Sequence, residues 1–173
     1  MKFLSPAATV VGLLAPISVG ANPLSLWPSS QAPIHELNGP AVPGDNPLFH
    51  CAIPTDDILQ IQSVELVPNP PKAGQALKIR ASGILTETVE KGATVLLDVK
   101  WNNVITLVHQ TVDLCEQIKN VDLECPLEKG PLVLEKEVAL PAQIPKGKFS
   151  VLADVLSKDE DKITCLQADN IQF

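Results

Sequence analysis

A chain of 173 residues is long enough for one domain of ordinary size with processed segments around it. Its 13 basic and 20 acidic residues give a formal charge of -7, which excludes the basic footprint that nucleic-acid phosphates require. Only 3% of positions are aromatic, too few for the stacking platforms of sugar-binding or single-strand-binding grooves, so the 45% apolar content is almost wholly aliphatic.

The N-terminus reads as a secretory signal. Lys2 supplies the positive charge, Ala7 to Val19 an apolar run, and Val19-Gly20-Ala21 the small residues at a cleavage site after Ala21. The run is shorter than the ~18 unbroken apolar residues of a membrane span, and Pro6, Gly12 and Pro16 oppose a buried helix. Residues 22–47 differ in texture: Pro23, Pro28, Pro33, Pro40, Pro43 and Pro47 recur with few paired apolar positions. This segment is expected to be a propeptide or a disordered, extended arm.

From residue 48 onward short strands alternate with turn signals. Ile58 to Val67 is the first, ended by Pro68-Asn69-Pro70-Pro71. Leu77, Ile79 and Ala81 alternate with Lys78, Arg80 and Ser82, which gives one buried and one wet face. Val95, Leu97, Val99 and Trp101 form the next apolar face. Asn102-Asn103 then reads as a tight hairpin turn, because Asn tolerates left-handed backbone. A strand from Val104 to about Leu114 follows. Leu132, Leu134, Val138 and Leu140 share one face of a fifth, Phe149, Val151, Ala153 and Val155 one face of a sixth, and Ile163 to Phe173 closes the chain. Seven strands without a long helical period predict an all-β fold, an immunoglobulin-like antiparallel sandwich of two sheets spanning residues 48–173.

Cys51, Cys115, Cys125 and Cys165 make an even number in a chain with a secretory signal, so two disulfides are expected, with three pairings open. Cys115 and Cys125 flank a loop of nine residues, which makes local pairing economical and leaves Cys51 for Cys165. Closing that longer loop is worth roughly 4–5 kcal/mol on a chain-entropy basis. No C-x-x-C knuckle is present, and the possible nitrogen ligands are only His35, His50 and His109, so no metal is expected. With the thiols oxidised and no G-x-S-x-G elbow, nothing assembles into nucleophile, base and orienter; an enzyme is not expected, and no cofactor either. His109 reads as a surface or packing residue, and Asp159-Glu160-Asp161 as a solvated hairpin tip.

Taken together, Cys51 before an Asp-containing turn, the strand ending in Pro68-Asn69-Pro70-Pro71 with Gly74 after it, Cys115 ahead of Cys125-Pro126-Leu127, and a last strand carrying Cys165 resemble the ML lipid-recognition domain. Within that family the chain is most similar to the fungal phosphatidylglycerol/phosphatidylinositol transfer proteins, relatives of the soluble Niemann–Pick type C sterol carrier. The resemblance implies a sandwich that admits a lipid between its sheets, and the pairings Cys51–Cys165 and Cys115–Cys125. It also implies transfer of phospholipid, or of sterol, by a monomer in the secretory pathway, secreted or in the vacuolar lumen, through transient contact with membrane surfaces. Animal sterol carriers carry a further disulfide in the turn where Pro68-Asn69-Pro70-Pro71 stands here, a departure that favours the fungal branch.

The candidate walls of a lipid slot are Leu77, Ile79, Val95, Leu97, Val99, Leu132, Leu134, Val138, Phe149, Val151 and Val155. The same residues serve equally to fill the solid core of a secreted immunoglobulin-like binding module, the alternative reading. A positive rim for an anionic head group is sought at Lys78 with Arg80, or at Lys146 with Lys148. The secreted protein is expected to begin at Asn22 or later, and unreduced peptide mapping to recover Cys115–Cys125 and Cys51–Cys165 fragments. A Cys51–Cys115 fragment would overturn this topology.

Overall fold

A computed structural model describes residues 39–173. The expected signal, residues 1–21, and the Pro-rich residues through 38 lie outside the described residues. The strands are β1 (Phe49–His50), β2 (Leu59–Val67), β3 (Ala76–Leu85), β4 (Thr94–Trp101), β5 (Ile105–Asp113), β6 (Gly130–Ala139), β7 (Lys148–Leu156) and β8 (Lys162–Gln172). They form two antiparallel sheets, one ordered β1-β8-β7-β4-β5 and one ordered β2-β3-β6. The two-sheet sandwich read from the alternation is thus the observed architecture. The additional strand, β1, is only two residues long and pairs with β8 beside the Cys51–Cys165 bridge.

Local chemistry explains the junctions. Asn102 and Asn103 both take left-handed backbone, φ 52° and 59°, so the β4–β5 connection is the tight hairpin the Asn pair predicts. Glu160 is left-handed at the tip between β7 and β8, where the Ser157 hydroxyl accepts from the Asp159 and Asp161 amides. The segment between Cys115 and Cys125, read above as a loop, is instead partly helical. A short helix α1 (Leu114–Ile118) is capped by Asp113, whose carboxylate accepts from the Glu116 amide at 3.0 Å, and a 3-10 turn (Lys119–Val121) follows. An Asp N-cap in so short a helix gives no visible apolar period, so alternation cannot reveal it. The disulfides are Cys51–Cys165 and Cys115–Cys125.

The two edges of the sandwich are treated differently. On one side the end of the Pro-rich segment is held against both sheets rather than extending into solvent. Pro40 accepts from the His50 amide and Val42 donates to Leu48, which ties the segment to β1. Pro43 then accepts from Val64 at 2.8 Å and Asp45 from Leu66 at 2.9 Å, along the outer edge of β2. The Asn46 amide donates to the Val64 carbonyl at 2.8 Å, and Val42 is buried. The chain therefore straps the β1 edge to the β2 edge, satisfying groups that would otherwise template foreign strands. β2 also lies against β8 beneath this strap. The edges on the other side, β5 and β6, belong to different sheets and are bridged by the segment of α1 and the 3-10 turn, which touches both and pairs Asp122 with Lys136, with no backbone strap along either edge among the described residues.

One end of the sandwich is solidly packed. Ile58, Leu85, Val89, Ala93 and Ile163 form a buried cluster, with Leu114, Leu127, Leu132 and Val155 against it. The opposite end is closed more lightly by Phe149, whose ring meets Phe173 edge-on with centroids 5.3 Å apart.

The strap rests on Gly44. Its φ is +105°, and an added Cβ would sit 2.1 Å from the Val64 carbonyl oxygen. Gly44→Ala is expected to cost about 1–3 kcal/mol in thermal or urea unfolding. It should also speed amide hydrogen exchange at Val64 and Leu66 specifically; unchanged exchange at those two amides would show that the strap does not latch β2.

Candidate ligand cavity

Register decides which side chains meet between the sheets. In the three-stranded sheet Leu77, Ile79, Ala81, Gly83 and Leu85 of β3 stand opposite Val138, Lys136, Leu134, Leu132 and Gly130 of β6. In the five-stranded sheet Val95, Leu97, Val99 and Trp101 of β4 stand opposite Val155, Ala153, Val151 and Phe149 of β7. All eleven residues named as candidate walls therefore lie in one of these two facing registers. Their depths differ: Leu77 and Phe149 are buried, Val138 is exposed, and the other eight are half-buried. Facing apolar positions that stay half-buried mean that the sheets do not close on one another along their whole length.

The gap is a cavity of about 160 Å³. Its origin lies in the middle of β3, where Ala81 and Gly83 interrupt a row of larger side chains. Leu59, Ile61 and Val64 of β2 line one side, Leu132 and Leu134 of β6 the other, and Thr164 and Leu166 of β8 the facing sheet. Leu123, from the loop after the 3-10 turn, covers the β6 side. The lining is nearly all carbon. Thr164 brings a hydroxyl that has no partner, but it is so buried that almost none of it faces the space. Such a space stays dry and selects for aliphatic ligand surface.

Of the eleven candidates, Leu132 and Leu134 line this cavity directly, and Val155 packs against the solid end. Leu59, Ile61, Val64, Leu123 and Leu166 are lining residues that the alternation did not single out. A bulge between Ile61 and Ser63 explains two of them: it resets the phase of β2, so residues three apart face the same way.

Neither of the two cation pairs considered for a positive rim lines the cavity. Lys78 and Arg80 lie in the outward register of β3 and are neutralised there, Lys78 by Glu137 at 3.8 Å and Arg80 by Glu135 at 2.9 Å. Lys146 and Lys148 flank Gly147 at the lightly closed end, away from the cavity lining. The inward cation is Lys136, in phase with Leu132 and Leu134 on β6.

A second recess of about 230 Å³ lies on the five-stranded sheet, among Asp98, Lys100, Asn103, Ser150, Gln167 and Asp169, and two apolar residues of β7, Leu152 and the candidate wall residue Val151, border it as well. Its charges are partly matched: Asp98 Oδ2 lies 3.6 Å from the Lys100 ammonium and 3.5 Å from His109 Nδ1, and Ser150 bonds Asn103, while the buried Asp98 Oδ1 has no partner. It is a grooved polar surface rather than an enclosed site. Three groups titrate away from their ordinary values. Burial pushes the Asp57 carboxyl up, a hydrogen bond from Lys119 to Glu116 raises the ammonium, and one from Lys158 to Glu90 does the same. None of the three lines the cavity. Of the histidines, His109 is exposed on the outer face and His50 is buried in β1, while His35 lies outside the described residues.

The ML domain family model matches residues 45–172. A phosphatidylglycerol/phosphatidylinositol transfer protein of Aspergillus fumigatus is 58% identical over 173 residues, covering 100% of this chain and 98% of its own. Its counterpart of the same name in Emericella nidulans is 57% identical, with 100% of both chains covered. Among solved structures, chicken MD-1 complexed with lipid IVa superposes with a TM-score of 0.50 at 19% identity, covering 73% of this chain and 88% of that one. That last likeness is one of fold.

Filling the cavity tests its part in stability and ligand uptake. Ala81→Leu places a branched side chain at its centre and is expected to hold or raise the melting temperature, since cavity filling commonly adds about 0.5–2 kcal/mol. The variant should also lose most of the enhancement of an apolar fluorescent dye seen with the parent protein. A drop in stability of about 1–3 kcal/mol, the signature of overpacking, would show a core already full.

Proposed function

The chain belongs to the ML domain family, and on that premise we propose that it carries phospholipid between membranes, holding the acyl chains between its sheets without altering them chemically. The observation that carries this reading is the carbon-lined cavity between two apolar faces that are only half-buried.

Transfer of this kind is a balance of hydrophobic free energies. Each methylene leaving a bilayer for water costs about 0.8 kcal/mol, so an acyl chain crosses water only inside an equivalent apolar wall. Leu59, Ile61, Leu132, Leu134 and Leu166 supply that wall, and exchange between bilayer and protein then approaches neutrality and needs no fuel. The cavity of about 160 Å³ is smaller than the roughly 300–1,000 Å³ of sites that enclose whole small ligands. It takes the end of a chain, and the rest requires the sheets to part. The strap and the β2–β8 contact fix one side, so parting on the unstrapped β5–β6 side is the motion this construction favours.

Carriage requires no nucleophile, metal or redox group, in keeping with a non-enzymatic role. Two disulfides suit an oxidising compartment. With cleavage after Ala21, the protein would act as a secreted or vacuolar monomer, touching membrane surfaces transiently. Phosphatidylglycerol and phosphatidylinositol are the head groups that the names of the fungal relatives bring to this reading.

Native mass spectrometry of the purified protein is expected to show a co-purifying phospholipid mass. In a vesicle assay the protein should move fluorescent phosphatidylglycerol from donor to acceptor membranes, and Leu134→Asp should abolish uptake of every lipid while the disulfides and the circular dichroism spectrum persist. Absence of transfer by the parent protein across neutral and acidic pH would leave an immunoglobulin-like binding module instead.

A further inference from the structure

The inward register of the two sheets contains a single charged residue among the described strands, and it is Lys136. Its strand neighbours Glu135 and Glu137 face outward, to Arg80 and Lys78. Lys136 itself shares the face of Leu132, Leu134 and Val138, opposite Ile79. A residue serving only to pack that face would be aliphatic, because taking an ammonium out of water opposes folding unless something compensates.

The compensation present is Asp122, whose Oδ2 lies 2.8 Å from the Lys136 ammonium. The two partners are held unequally. The Lys136 side chain is 28% exposed and rises from a sheet; the Asp122 side chain is 80% exposed, on a left-handed residue (φ 60°) just after the 3-10 turn. An exposed carboxylate on a loop contributes little binding of its own and gives way readily to a competing anion. Neither partner lines the cavity itself, and Lys136 also borders a surface recess with Lys78, Glu135 and Glu137, but the neighbours of both reach the cavity. Leu123, next to Asp122, and Leu134, two residues or about 7 Å along the strand from Lys136, both line the cavity. This is β6, on the side that lacks the strap.

Resting on the lipid-carrier reading above, we propose that Lys136 is the head-group anchor of the carrier. Its ammonium exchanges the Asp122 carboxylate for the phosphodiester of an anionic phospholipid whose acyl chain occupies the cavity. Asp122 serves as the resident anion of the empty protein, keeping the ammonium paired until lipid arrives. An ammonium acts on phosphate as a compact charge with three donors, which suits exchange between two oxyanions in one place. The anchor also answers an electrostatic problem. A chain of net charge -7 repels anionic lipid at a distance, and one cation at the mouth restores attraction within a Debye length of about 8 Å.

The test compares phosphatidylglycerol and phosphatidylcholine of identical acyl chains, in equilibrium binding and vesicle transfer, with the intact secreted protein. Lys136→Gln is expected to lower the phosphatidylglycerol-to-phosphatidylcholine preference about tenfold, the scale of one charge-assisted hydrogen bond. Lys136→Arg should keep most of the preference, and Asp122→Asn should raise phosphatidylglycerol affinity by removing the competitor. A merely structural ion pair gives another pattern: both substitutions weaken both lipids alike and lower the melting temperature together. That result would overturn the anchor while leaving the carrier intact. If Lys136→Gln does not fold, Asp122→Asn decides alone, a gain supporting the anchor and a loss refuting it. Glycerol phosphate added without acyl chains should neither bind measurably nor compete; if it does, the site is one for small free anions and the proposal fails. A parent protein that moves neither lipid removes the anchor together with the carrier reading.

Discussion

The strap that residues 40–46 lay across the edges of both sheets is the constraint on which the rest of this structure depends. Its backbone bonds to β1 and β2 hold one side of the sandwich shut, and the Cys51–Cys165 bridge secures β8 to the chain leading out of β1. A sandwich fixed on both sides would be a solid domain; one fixed on neither would slip in register or expose its edges. Backbone bonds on a single side leave the β5 and β6 edges, bridged only by α1, the 3-10 turn and the Asp122–Lys136 pair, as the more weakly held side.

The packing follows from that asymmetry. Where β3 ends, Leu85 joins Val89, Ala93 and Ile163 in a dry cluster that supplies cooperative stability. In the middle of the same strand Ala81 and Gly83 remove the side-chain volume that would continue the cluster, and the cavity begins there. Native interiors are packed to crystal density, so a gap with aliphatic walls costs stability that a solid core would retain. In a lipid carrier that cost is recovered when hydrocarbon enters. The shortage of aromatic rings fits the same arrangement: slender aliphatic side chains can re-pack around a chain of variable length, while a ring fixes the shape of its pocket.

Electrostatics are arranged around the cavity rather than within it. On the outer face of the small sheet, Lys78 and Arg80 are matched by Glu137 and Glu135, which agrees with the pairing of β3 with β6 but contributes little free energy, as exposed pairs do. The outer face of the large sheet holds Asp98, Lys100 and His109 in a similar cluster. Against these outward charges Lys136 is the inward exception, paired with an aspartate that solvent already reaches.

The sequence by itself determined the two-sheet architecture, because a period of two over seven segments fixes which face of each strand is apolar wherever the register holds. It also determined the Asn102-Asn103 turn, whose backbone few other residue pairs adopt, and the facing positions of Leu132 and Leu134. It carried the signal for Lys136 as well, a cation in phase with leucines, although a lone polar residue in an apolar row is easily passed over in one dimension. Only the tertiary structure decided the rest. The bulge in β2 breaks the alternation and brings Ile61 and Val64 to the cavity, and Leu123 reaches it from a loop that has no period at all. The fate of Pro40, Pro43 and Asp45 was likewise decided in three dimensions, since a Pro-rich stretch becomes a strap only when a neighbouring strand edge offers amides to its carbonyl groups. Whether an apolar face becomes core or cavity depends on the distance between sheets, and that distance is set by contacts remote in sequence, which no local pattern contains.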